Sequence, residues 1–126
     1  MRTIATEAAP KAIGPYSQAI AEGGFLFTSG QIPLDPGTGE LVPGGIEASV
    51  ERVFDNLEAI LAASGLTLAD VVKTTVYLKD GADSNAMSEE YARHFSEPLP
   101  ARSSVVVSRL KNAEMLIEIE AVAIAR

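Results

Sequence analysis

The sequence predicts an α+β domain, and three observations carry that reading. Several short segments have the β-branched, alternating composition of strands, two others repeat apolar residues at the spacing of helices, and Gly and Pro punctuate the junctions. At 126 residues the chain makes one domain, residues 1–126, which buries roughly two thirds of its unfolded surface and has no room for a second core.

The elements follow in order. Residues 2–6 read as a short edge strand, after which Pro10 and the Gly14, Pro15 pair impose a turn and Tyr16 opens the next element. Residues 17–22 and 25–32 are strands separated by Gly23 and Gly24, the spacing of a tight hairpin. A turn-rich loop from Pro33 to Gly45 is longer than most and hints at a functional or interface role. Over residues 46–63, Ile46, Val50, Val53, Phe54, Leu57, Ile60 and Leu61 form the stripe of a helix lying on a sheet, and Gly65 ends it. Thr67 and Asp70 mark a cap. Residues 71–78 form the next strand, with Val72, Thr74 and Val76 alternating against Lys73, Thr75 and Tyr77. Asp83 or Ser84 caps a second helix that ends near Phe95, with Met87, Tyr91 and Phe95 inward and His94 exposed or capping near its end. Residues 100–107 and 116–121 are the last two strands. Two helices cannot cover both faces of a six-strand sheet, so the remaining face meets solvent or, as we expect, another copy of the chain.

Composition narrows the function. Seventeen acidic against ten basic residues give a net charge of −7, which repels phosphate backbones and anionic lipid and argues against nucleic acid or membrane partners. The sequence contains no cysteine, so thiolate chemistry and disulfides are excluded. The single histidine, His94, cannot by itself build a zinc site or a catalytic triad. No metal is expected. The N-terminal residues lack the apolar run of a signal peptide, and a cytoplasmic location is expected.

Three charges stand out. Arg102 shares a strand face with Ser104 and Val106, and Glu118 and Glu120 share theirs with Leu116 and Val122. Charges among such neighbours are costly unless paired. A buried structural ion pair or a solvated outer face accounts for them as well as a functional site does.

Motifs spread along the chain add to this. Residues 13–19 (Ile13, Gly14, Pro15, Tyr16, Ser17, Gln18, Ala19), 28–33, 72–76, 100–103 and 117–121 closely resemble the RidA (YjgF) family, in the family's order and spacing. The resemblance implies a fold like Bacillus chorismate mutase, a six-stranded mixed sheet with two helices on one face. It also implies a homotrimer with a central barrel and ligand clefts at the subunit boundaries. It implies hydrolysis of reactive 2-imino acids and their enamine tautomers, such as 2-iminobutanoate and 2-iminopropanoate, to 2-oxo acids and ammonia. Matched position by position, Arg102 corresponds to the arginine that binds the substrate carboxylate and Glu118 to the acid that positions the attacking water. Tyr16, Ser29, Gly30 and the backbone at Ser104 correspond to pocket-lining positions. Two positions depart from the common pattern: Ser88 stands where an asparagine is frequent, and Ser84 where an aromatic often begins the second helix.

The chemistry asked of these residues is simple. A 2-imino acid presents a carboxylate and an electrophilic C=N carbon, so a bidentate anion clamp and a general base for water suffice, with no cofactor. Glu120 shares the face of Glu118 and competes for its role. Two alternatives stand beside the enzyme: a module that holds a small 2-oxo acid without turnover, and an RNA-cleaving or translation-inhibiting protein, which the acidic charge disfavours. If the last two strands form a hairpin, or if another strand separates them, Arg102 and Glu118 lie about 10 Å apart in the sheet. We therefore expect a composite site, with Arg102 of one chain facing Glu118 of the next.

Overall fold

The computed structural model describes residues 1–125 of the chain. Its strands are β1 (Arg2–Ile4), β2 (Ala19–Glu22), β3 (Phe25–Thr28), β4 (Val71–Lys79), β5 (Ala101–Val107) and β6 (Ile117–Ile124). Its helices are α1 (Gly45–Ala62) and α2 (Ser84–Ala92), with a single 3-10 turn at Leu68–Asp70. The strands form one six-stranded sheet in the order β1, β2, β3, β6, β4, β5. β4 and β5 are parallel, joined through α2 as a parallel pair requires, and every other neighbour is antiparallel. The mixed sheet with both helices on one face is the architecture the sequence predicts.

That face is the core. Ile117, Ile119, Ala121 and Ala123 alternate along β6 and are buried, and they meet Val50, Val53, Phe54, Leu57, Ile60 and Leu61 of α1. Gly65 stops α1 as expected. Its φ is +74°, its N–H reaches the Ala62 carbonyl at 3.0 Å, and the Leu66 N–H reaches the Leu61 carbonyl at 2.9 Å, the paired closure of a glycine-terminated helix. At the other helix, the Asp83 carboxylate accepts from the Ala86 N–H at 3.0 Å and caps α2.

Several expectations are corrected. The strand expected over 17–22 starts only at Ala19, because Gln18 is buried in the loop and its amide donates to the carbonyls of Thr6, Ala9 and Pro10. Tyr16 accordingly lies in a turn. The strand expected over 25–32 breaks after Thr28. From Phe27 to Gln31 is four residues, whereas their partners Val122 and Ile119 are three apart, so one extra residue is accommodated at Ser29 and Gly30. In β4 a similar irregularity between Val71 and Lys73 buries Val71 and exposes Val72, reversing the expected alternation there. Helix α2 ends at Ala92, and Phe95 reaches the core from the following turn. His94 is not an exposed cap: its ring stacks on Phe54 with centroids 4.1 Å apart. Of the two arrangements weighed for the last two strands, the one with another strand between them is found: β4 separates them and there is no hairpin.

The helix-free face carries Phe25, Phe27 and Val105, all exposed, beside the half-buried Val122 and Ile124. No helix of the described residues is long and apolar enough to cross a membrane.

Candidate active site

The register fixes where the two charges stand. Arg102 pairs with Thr74, which pairs with Ala121, and all three share the helix face. Glu118 pairs with Tyr77 on the opposite face. Arg102 and Glu118 are thus two strands apart, offset by three residues, and on opposite sides of the sheet. Two strand spacings and three residue rises give a separation of about 14 Å within the sheet plane. One chain cannot bring both side chains to one small substrate, a stronger separation than the sequence implied.

The first half of the candidate site forms where β3 loses its regular pairing. The irregularity at Ser29 and Gly30 brings the Gly30 backbone against Glu118. A Cβ on Gly30 would lie 2.8 Å from the Glu118 carboxyl carbon and closer still to its Oε2. Only glycine leaves room for the acid in that position. Ser29 does not offer its hydroxyl to the open: it donates to the Ser17 carbonyl at 2.6 Å, and the Ser29 N–H donates to the Gln18 carbonyl at 2.9 Å, which ties this bend to the segment after Tyr16. Tyr16 is half exposed and its hydroxyl accepts from the Ile13 N–H at 3.4 Å. Tyr16, Ser29, Gly30 and Glu118 are therefore connected through adjoining segments.

Burial raises the pKa of Glu118 above the ordinary 4.5; the neighbouring Glu120 adds to the rise, and Lys111 opposes it. Glu120 itself accepts from the Tyr77 hydroxyl at 3.2 Å. Of the two acids, Glu118 is the one in contact with Gly30.

The second half lies across the sheet on the edge strand. The Arg102 guanidinium sits 4.7 Å from the centre of the Tyr91 ring, a cation over an aromatic face. The Tyr91 hydroxyl and Thr74 hydroxyl are hydrogen-bonded at 2.7 Å within the core, so the ring that carries Arg102 is fixed. Burial raises the Tyr91 pKa, partly offset by Thr74 and Arg102, which keeps the phenol neutral. Arg102 is exposed and, among the described residues, has no carboxylate partner, so the alternative of a buried ion pair fails. Ser104 follows on the same face of β5 and is exposed. Ser88 is half buried on α2, one turn before Tyr91. Ser84 is the exposed first residue of that helix.

Tyr91 is the residue that sequence reasoning missed as a support for Arg102. In the stripe with Met87 and Phe95 it reads as core packing alone; a buried tyrosine hydroxyl, which needs a partner, was the available signal. No sequence signal pairs it with Arg102, since the contact depends on the parallel register of β4 and β5.

The sheet with one-sided helices and a split arginine and glutamate define a small α+β domain of one well-populated class: the family model described as Endoribonuclease L-PSP matches residues 6–125. The chain belongs to the YjgF/RidA family. It is 58% identical over 120 residues to a RutC family protein of Pyrococcus horikoshii, covering 95% of this chain and 94% of that one. It is 48% identical over 128 residues to the 2-iminobutanoate/2-iminopropanoate deaminase of Escherichia coli K12, covering 99% and 98% of the two chains. The crystal structure of a Thermotoga maritima protein carrying an endoribonuclease name superposes with a TM-score of 0.94 at 51% identity, covering 100% of this chain and 98% of that one.

Proposed function

We propose that this protein hydrolyses reactive 2-imino acids, such as 2-iminobutanoate and 2-iminopropanoate, to 2-oxo acids and ammonia at a site assembled between two chains of a homotrimer. The observation that carries the proposal is the separation of an unpaired Arg102 from a partly desolvated Glu118 on opposite faces of one sheet. Each is half of a minimal imine-hydrolysing site, and neither finds its complement within the chain. The deaminase name of the E. coli relative supports the choice of substrate.

In this reading Arg102 holds the substrate carboxylate with its two-pronged fork, backed by the Tyr91 ring. Glu118 of the neighbouring chain takes a proton from water as the water oxygen bonds to the imine carbon, and the C=N π electrons move to nitrogen. Glu118 returns that proton to the nitrogen, giving the carbinolamine; the hydroxyl proton is then carried to the nitrogen by Glu118 or water as the C–N bond breaks toward nitrogen and the carbonyl forms, so that the leaving group is NH3. The overall change is imino acid plus water to 2-oxo acid plus ammonia. Tyr16, Gly30, Ser88 and Ser104 line the cleft, while Ser29 shapes it through its bond to Ser17.

The test is to generate the imine in place with a threonine or serine dehydratase and to follow 2-oxo acid release. Release faster than spontaneous hydrolysis supports the enzyme. Unchanged release alongside measurable 2-oxo acid binding would favour a holding module instead.

A further inference from the structure

His94, the sole histidine of the sequence, lies at the contact of α1 and α2. Its ring stacks on Phe54 at 9° from parallel, which fixes the direction of Nε2. The side chain is only 11% exposed. Nε2 itself is buried and has no hydrogen-bond partner among the described residues. Two carboxylate oxygens face it: Glu51 Oε2 at 3.5 Å and Glu90 Oε2 at 3.7 Å. The three donor atoms lie within 4.8 Å of one another.

Neither separation is a hydrogen bond. They match the spacing between neighbouring ligands around a tetrahedral ion, about 3.4 Å when each bond is about 2.1 Å. Glu90 is buried, with 8% of its side chain exposed. Its Oε1 accepts from Arg93 Nη1 at 3.3 Å, which leaves Oε2 directed at His94. Glu90 and His94, four apart, share one side of the second helix and the turn that extends it. Glu51 comes from the facing helix and is exposed, so an ion has a route in and water has a place on it.

We propose that Glu51, Glu90 and His94 bind a divalent transition-metal ion, with Zn²⁺ the best fit to one imidazole, two carboxylates and an open position. The ion would clip α1 to the helix that carries Tyr91. From the sequence no metal is expected, because one histidine cannot hold zinc by itself; the fold supplies two carboxylates from different helices.

The competing arrangement holds no ion: the Glu51 and Glu90 carboxyls share a proton in a side-chain hydrogen bond, which raises the Glu51 pKa, beside the His94 ring, and one experiment separates the two. Tag-free protein dialysed against EDTA is titrated with ZnCl₂ by equilibrium dialysis, while NMR follows the single imidazole. The expected result is about one Zn²⁺ per chain, saturating in the micromolar range, with the His94 ring signals shifted. Both H94Q and E51Q should weaken binding at least about tenfold. E51Q alters an exposed carboxylate and keeps the test valid if H94Q fails to fold. Wild-type affinity in folded E51Q, unshifted ring signals, or displacement of Zn²⁺ by equimolar Mg²⁺ would each overturn the proposal.

Discussion

Gly30 and Glu118 are packed so closely that a single methyl group distinguishes a seated carboxylate from a displaced one. Gly30 does not have a positive φ, so alanine fits its backbone and the effect falls on the acid alone. Gly30→Ala is expected to lower kcat/KM for the imino acid roughly 100-fold, the scale of an ångström misplacement, while thermal denaturation moves by only a few degrees. At Arg102, lysine keeps the charge and removes the fork. Arg102→Lys should cost about 2 to 4 kcal/mol in transition-state stabilisation, read from kcat/KM, with circular dichroism unchanged. The raised pKa of Glu118 gives a pH prediction of definite sign. As pH falls, the ionised base is lost before an ordinary glutamate would be protonated, so the acid limb of kcat/KM lies above 4.5. Glu120→Gln removes the charge that adds to the effect of burial, and the limb should move to lower pH; a pH–rate profile of the two proteins decides.

At the scale of elements, the parts with strong periodicity were legible in the sequence and the parts set by register were not. The stripe of α1, its stop at Gly65 and the Asp83 cap of α2 each follow from local chemistry, and each is found within a residue of its expected place. The irregularities at Ser29 to Gly30 and at Val71 to Lys73 were invisible, because an extra residue is defined only against a partner strand. The same reason hid the three-residue offset along β4 between Arg102 and Glu118, which puts them on opposite faces; that a strand separates β5 from β6 was one of the two arrangements weighed. His94 was misread because its stacking partner Phe54 is distant in sequence. The Asp83 cap offers an element-scale test: Asp83→Ala removes the bond to the Ala86 N–H and should destabilise the fold by about 1 kcal/mol, measured by the urea midpoint at constant slope.

For the whole molecule, the uncovered sheet face and the split site lead to the same conclusion. Phe25, Phe27 and Val105 stand exposed on a face that no helix reaches, and the two halves of the site need a second chain to meet. The threefold packing proposed above would answer both, burying the face and bringing Arg102 of one chain to Glu118 of the next. The measurement that tests this most directly is complementation. Arg102→Ala and Glu118→Ala chains, each inactive alone, are unfolded, mixed in equal amounts and refolded, and mixing within trimers is verified by mass. Random assembly makes about a quarter of the boundaries carry both an intact Arg102 and an intact Glu118. The mixed trimers should therefore regain about a quarter of wild-type deaminase activity. Mixed trimers as inactive as the separate mutants would place both residues in one subunit's site and contradict the account.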